Sequence, residues 1–160
     1  MSAGADGGGP TFDRETLESR RRLIAAEAIC AARGARLNAP GRHVLKALLA
    51  SGRPLKAYDL THALAEGGRS AAPPTVYRAL KFLIGMGLAH RIETLNAFVA
   101  CRFPSDPHLA GFHVCERCGA AEEFRLDAVP PQAAPLDRGR LVFEVLNVCV
   151  ACTERSRDPS

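Results

Sequence analysis

Cys115-Glu-Arg-Cys118 and Cys149-Val-Ala-Cys152 repeat one C-x2-C spacing across thirty intervening residues. A loop of this length aims two thiolates at one point. Two such loops complete a tetrahedral shell with Zn–S bonds of about 2.3 Å, a closed structural site without an open position for catalysis. Redox-active dithiols, reduced buried thiols and an iron–sulfur cluster draw on the same residues. Recurrence of the spacing within one short segment favours the zinc staple. The N-terminus Met-Ser-Ala-Gly-Ala-Asp-Gly-Gly-Gly-Pro has neither a basic run nor an apolar one, so a cytoplasmic chain with reduced thiols is expected, not a disulfide framework.

A second set of donors is dispersed. Leu88–Glu93 and Ala97–Phe103 read as short strands around a turn at Leu95-Asn96. A symmetric hairpin there sets Ile92 opposite Val99 and His90 opposite Cys101, with Cβ atoms about 4.5–5.5 Å apart, near enough to share one ion. His108 and the pair Glu122-Glu123 lie downstream and can close the shell; His113 is a further donor whose place fits strand packing equally well. The same residues also suit a plainer arrangement, with His90 and Cys101 packed beside Ile92 and Val99 and the rest solvated. Cys30 sits among apolar residues and reads as a small buried hydrophobe, and His43 and His62 as ordinary helix residues.

These donors follow a pattern of short helices. A helix from about Asp13 to Arg33 has Leu17, Leu23, Ile24, Ala28 and Ala31 as its apolar stripe and stops at Gly34. Helices over about Pro40–Ala50 and Ala57–Glu66 follow, ended by Gly52 and Gly67-Gly68, and Pro73-Pro74 open a fourth that reaches Met86. Four helices and a hairpin predict a winged helix-turn-helix. On the fourth helix Val76, Ala79, Leu80, Leu83 and Ile84 gather on one side; Pro74, Arg78 and Lys81 gather on the other, with Tyr77 at the border. Arg78 and Tyr77 stand where a recognition helix meets base edges, and Lys56, Tyr58 and Arg42, at the starts of earlier helices, are candidate phosphate contacts.

The 160 residues, 47% hydrophobic and 24% charged, suit one domain or two small ones, and no apolar run is long enough to span a membrane. Residues 1–100 hold 14 basic and 8 acidic side chains, against 7 and 9 in residues 101–160, so the first part is the one suited to phosphate. After Pro104 the composition changes, and His113–Cys115, Ala120–Leu126 and Leu141–Val148 read as strands, with Pro130, Pro131 and Pro135 breaking any long helix between the last two. The expected fold is therefore α+β. Residues 1–12 form a tail, 13–103 a winged-helix DNA-binding domain, 104–110 a hinge, 111–155 a small α/β dimerisation and zinc domain, and 156–160 a second tail. So small a segment needs a staple such as the four cysteines.

Ala26-Glu27-Ala28-Ile29-Cys30, Ala57-Tyr58-Asp59-Leu60, Pro73-Pro74-Thr75-Val76-Tyr77-Arg78-Ala79-Leu80 and Cys115-Glu-Arg-Cys118-Gly119 together resemble the Fur family of metal-responsive repressors, and within it most the zinc-uptake regulators. The resemblance runs from about Ser19 to Arg155. It implies a homodimer joined through its C-terminal domains that binds palindromic double-stranded operator DNA and represses zinc-uptake genes when zinc-loaded. It also implies two zinc ions per subunit, one structural on Cys115, Cys118, Cys149 and Cys152 and one regulatory on His90, Cys101, His108 and, of the two glutamates, Glu123. Iron-sensing members carry a His-rich run before the first C-x2-C, where this chain has Pro107-His108-Leu-Ala-Gly-Phe-His113. The Cys101 thiolate softens the site toward zinc and away from the iron- and peroxide-responsive alternatives. Where the family often shows Thr-Pro-Gln-Arg this chain has Asn38-Ala39-Pro40-Gly41-Arg42, and its interval between the cysteine pairs is short and proline-rich. A zinc hydrolase or deaminase with Glu122 or Glu123 as general base is the rival from another class. The His-x-Glu and His-Glu-x-x-His patterns of that chemistry are missing, so no enzyme is expected.

Overall fold

The computed structural model describes residues 17–66, 72–129, 131 and 141–157. The expected first tail, the Gly67-Gly68 stop and most of the proline-rich interval fall outside the described residues. The order of elements is α1 (Leu17–Ala32), α2 (Ala39–Ser51), α3 (Ala57–Glu66), α4 (Pro73–Gly85), β1 (Ala89–Ile92), β2 (Ala97–Ala100), β3 (Leu109–Cys115), β4 (Ala121–Leu126), β5 (Val142–Asn147) and α5 (Val150–Arg157). This is the α+β arrangement expected, a winged helix-turn-helix followed by a small α/β half.

The helices begin where local hydrogen bonding allows. The Asn38 side chain accepts the Gly41 N–H at 2.9 Å and Pro40 sits in the first turn of α2, while Gly52 closes that helix at φ +59°. Asp59 accepts the Lys56 N–H at 3.0 Å at the start of α3. On α4, Val76, Ala79, Leu80 and Leu83 are buried as the wheel requires, but Ile84 lies at the rim and is exposed. Helix α1 departs from its expected stripe. Its buried row is Ser19, Leu23, Ala26 and Cys30, while Leu17 is 77% and Ile24 64% exposed. Apolar residues occupy every side of α1, so periodicity alone does not select a face.

Strands β1 and β2 pair antiparallel, with His90 opposite Val99 and Ile92 opposite Ala97. The expected pairing of His90 with Cys101 and of Ile92 with Val99 is thereby corrected by two residues. The connection is a four-residue loop, 93–96, in which the Asn96 N–H donates to Glu93 O at 3.0 Å and Asn96 takes φ +47°. A two-residue shift keeps each side chain on its face, so Cys101 stays on the side of His90, displaced diagonally. Leu55 adds one isolated bridge to β2 through reciprocal hydrogen bonds with Phe98 at 2.9 and 2.8 Å.

The second sheet has the order β4-β3-β5, with β3 antiparallel to β4 and parallel to β5. Strand β3 starts at Leu109, earlier than His113 and inside the span expected as a hinge. Gly111 belongs to the strand because a Cβ there would lie 2.4 Å from the Phe124 ring. Helix α5 was not expected, and it runs two residues into the span assigned to the second tail. The main core joins α1–α4 to the hairpin through Leu48, Leu60, Val76, Leu80, Leu83 and Phe98. A smaller core holds Ile92, Ala110, Phe112 and Val114, with Leu95 and Val99 packed against it, so one face of the hairpin is seated on the second sheet. Among the described residues no helix is long and apolar enough to cross a membrane.

Candidate metal centres and nucleic-acid interface

The first cluster grows out of the end of β3. Cys115 is opposite Asn147 in the ladder, its N–H donates to Ala120 O at 2.8 Å, and Gly119 at φ +68° turns the chain back so that Cys118 faces Cys115. Cys149 precedes α5, where its carbonyl accepts the Cys152 and Thr153 N–H groups at 3.0 and 2.9 Å. The four sulfurs lie within 4.8 Å of one another, with Cys118 and Cys149 at 3.8 Å. Thiolates around a tetrahedral zinc stand about 3.8 Å apart, which follows from the bond length and angle. The N–H groups of Cys149, Cys118 and Arg117 aim at the Cys115 sulfur and lower its pKa to about 6, as a thiolate ligand requires. The Cys152 N–H acts the same way on Cys149, but the Cys152, Cys115 and Cys118 sulfurs around it outweigh that and hold its proton, raising it to about 11.

The second cluster brings together His90 from β1, Cys101 after β2, His108 before β3 and Glu123 from β4, all with donor atoms within 4.8 Å of one another. Cys101 Sγ lies 3.7 Å from His108 Nε2 and 3.6 Å from Glu123 Oε1, and His108 Nε2 lies 2.9 Å from the same oxygen. The ladder separates the two glutamates. Glu123 is opposite Phe112 on the inner face and 8% exposed, whereas Glu122 is opposite His113 on the outer face and pairs with Arg102 at 3.5 Å. His113 is exposed against Phe124, at 4.7 Å between rings, and takes no part. Cys30 is fully buried in the main core, as expected.

Backbone groups that spacing could not reveal hold these ligands. His108 Nδ1 donates to the Asp106 carbonyl at 2.7 Å, which turns Nε2 toward the cluster. The Arg102 N–H donates to Glu123 Oε2 at 2.6 Å, leaving Oε1 to the cluster. Burial raises the Glu123 pKa, but the His90 ring, the Arg102 N–H and His108 outweigh it and hold the carboxyl down at about 2. Burial, then the Glu123 charge, pushes the Cys101 thiol up to about 12. His90 Nε2 is 3.2 Å from Glu123 Oε1, yet its orientation makes no hydrogen bond, and it is a buried nitrogen without a hydrogen-bond partner. A buried imidazole nitrogen 3.2 Å from a carboxylate oxygen but outside hydrogen-bond orientation, beside a thiol, fits a metal ligand.

Tyr77, 58% exposed, stands with Arg78 and Lys81 on the outer side of α4. Tyr58, 75% exposed, and Lys56 lie at the start of α3. Arg42 is also exposed but is engaged in an ion pair with Glu27.

The sequence profile of the Ferric uptake regulator family matches residues 32–139. The Zinc uptake regulation protein of Escherichia coli (strain K12) is 35% identical over 147 residues, spanning 88% of this chain and 86% of that protein. A solved Zinc Uptake Regulator complexed with zinc and DNA superposes with a TM-score of 0.81 at 34% identity, covering 89% of this chain and 100% of that one. The holo form of XcZur gives 0.70 at 37% identity over 82% of this chain and 96% of that one, and its apo form 0.52 at 34% over 86% and 99%. The present arrangement is thus nearer the holo form of that relative than the apo form.

Proposed function

The chain belongs to the ferric uptake regulator family, and from that premise we propose that it is a zinc-responsive transcriptional repressor. It binds palindromic operator DNA as a homodimer when zinc-loaded and controls zinc-uptake genes. The observation that carries this reading is the second cluster, whose donors come from both halves of the molecule: His90 and Cys101 from the hairpin, His108 and Glu123 from the segment that follows. When bound, zinc supplies a redox-inert, four-coordinate cross-link. Cys101 makes the donor set softer than iron or manganese prefers.

The residues divide the work. Cys115, Cys118, Cys149 and Cys152 hold the structural zinc and tie β3 to α5, making two zinc ions per subunit. His90, Cys101, His108 and Glu123 hold the regulatory one and join the winged-helix domain, 13–103, to the dimerisation domain, 111–155. Arg78, Tyr77 and Lys81 read the major groove, while Lys56 and Tyr58 touch phosphate. Arg42 does so only after leaving Glu27. Among the described residues β5 is a sheet edge, and Val145 and Leu146 on its two faces, with Val148 beyond them, are exposed; that open edge is suited to a second copy. Such a regulator works in the cytoplasm. An enzymatic reading has less support: Glu122 is at the surface with Arg102, and both Glu123 oxygens are engaged.

The test is a DNA-binding titration at buffered free zinc, iron or manganese, with metal content measured in parallel. The probe is a duplex that the zinc-loaded chain itself selects from random-sequence DNA. Tight binding with zinc alone is expected; a response to iron or manganese and none to zinc overturns the assignment.

A further inference from the structure

The hairpin is attached to the second sheet at a point that no metal ligand touches. Glu144 on β5 is opposite Phe112 in the parallel ladder, and Phe112 is opposite Glu123 in the antiparallel one, so the three form one row on one face of the sheet. Both carboxylates at the ends of that row reach the hairpin. Glu123 meets its base, at His90, Cys101 and the Arg102 N–H. Glu144 meets its loop: Oε1 accepts the Glu93 N–H at 2.6 Å, Oε2 accepts the Thr94 N–H at 3.1 Å, and the Thr94 hydroxyl donates to Oε2. Phe112 fills the middle, its ring 5.5 Å from that of His90.

Ile92, Leu95 and Val99 seat the hairpin on the second sheet by apolar, non-directional contact; the two carboxylates add directional holds, one at its base and one at its loop. Strands rise about 3.3 Å per residue, so the three steps from His90 to Glu93 separate the two attachments by roughly 10 Å. That lever is long enough to set an angle. We propose that Glu144 is a positioning residue for DNA binding: by gripping loop 93–96 it converts closure at the hairpin base into one fixed orientation of the reading helix α4. The proposal rests on the zinc-responsive reading and adds to it a metal-independent contact that aims what the metal ligands hold. Without Glu144 the second cluster still fills, but filling it selects the DNA-binding geometry less strongly.

Glu144→Gln tests this, because its amide group sets a donor against backbone N–H donors that now meet an acceptor. Operator affinity is measured for the full chain with the four-cysteine zinc retained and the second zinc either present or chelated, using the duplex selected by the wild type. Wild type, Glu144→Gln and Thr94→Val are compared, with zinc content counted in each. Glu144→Gln is expected to keep both zinc ions and its zinc-depleted affinity, while its zinc-dependent gain falls about tenfold. Thr94→Val, which removes one donor and leaves the carboxylate in place, is expected to lose about two- to threefold of the gain and decides the matter if Glu144→Gln fails to fold. A gain equal to wild type in the variant that folds, or equal losses with and without the second zinc, overturns the grip. Absence of any gain in the wild type overturns the zinc-responsive reading itself and the grip with it.

Discussion

The two clusters each gather four donors, yet they are built in opposite ways. The cysteine cluster is drawn from one half, the end of β3 and the start of α5, and consists of sulfur alone. The second is drawn from both halves and mixes imidazole, thiol and carboxylate. On the proposed reading, an ion in the first would hold a small core together, whereas an ion in the second would change how two parts meet. Placement relative to the fold, more than ligand chemistry, separates a staple from a switch.

Cys115→Ser is the sharpest attack on the staple. Among the described residues the core behind it buries Ile92, Ala110, Phe112 and Val114, and a structural zinc contributes about as much as or more than the roughly 5–15 kcal/mol that stabilises a whole domain. Loss of the dimer and of cooperative thermal unfolding in the second half is expected, checked by sedimentation and calorimetry. Cys101→Ser should leave the fold and one zinc per subunit while removing the zinc-dependent gain in operator affinity, on the order of 5- to 150-fold for allosteric coupling. If both variants merely lower stability alike, the distinction between the clusters fails. Arg78→Ala should weaken binding on the order of tenfold with or without the second zinc, since the proposed reading places it on DNA and away from both clusters; a gel-shift series reads this directly.

Proton release sharpens the comparison further. With Cys101 raised to about 12 and Glu123 held at about 2, the neutral-pH site offers one thiol still protonated and one carboxylate already ionised. Zinc entry therefore displaces the thiol proton, and affinity at this site should rise by at least about tenfold per pH unit between pH 7 and 8, a slope that Cys101→Ser lowers by one proton. The contribution of Glu123 to stability is complete above its ordinary pKa of 4.5 and is lost as pH falls toward about 2. That of Cys101 is complete below 9.0 and is lost as pH rises toward about 12.

What spacing alone made legible was whatever depends on local periodicity. The helices α2, α3 and α4, the paired C-x2-C motifs and the inner face of α4 are stated in the residues themselves. The hairpin's register was misjudged because the loop uses Asn96 at positive φ to close four residues instead of two. His90 and Cys101 still converge, since side chains alternate with period two and a shift of two preserves the face. The choice between Glu122 and Glu123 needed a partner strand to define inside and outside. The backbone groups that orient His108 and Glu123, and the reach of Glu144 to loop 93–96, depend on contacts distant along the chain and leave no local pattern. Gly111 read as a linker signal because nothing nearby announces that the Phe124 ring lies over it.

The most direct measurement of the proposed zinc switch is operator affinity before and after selective removal of the second zinc, with the four-cysteine zinc shown by metal analysis to remain. A drop of roughly 5- to 150-fold on removal, restored by zinc, is the expected result. Unchanged affinity would contradict a regulatory role for His90, Cys101, His108 and Glu123.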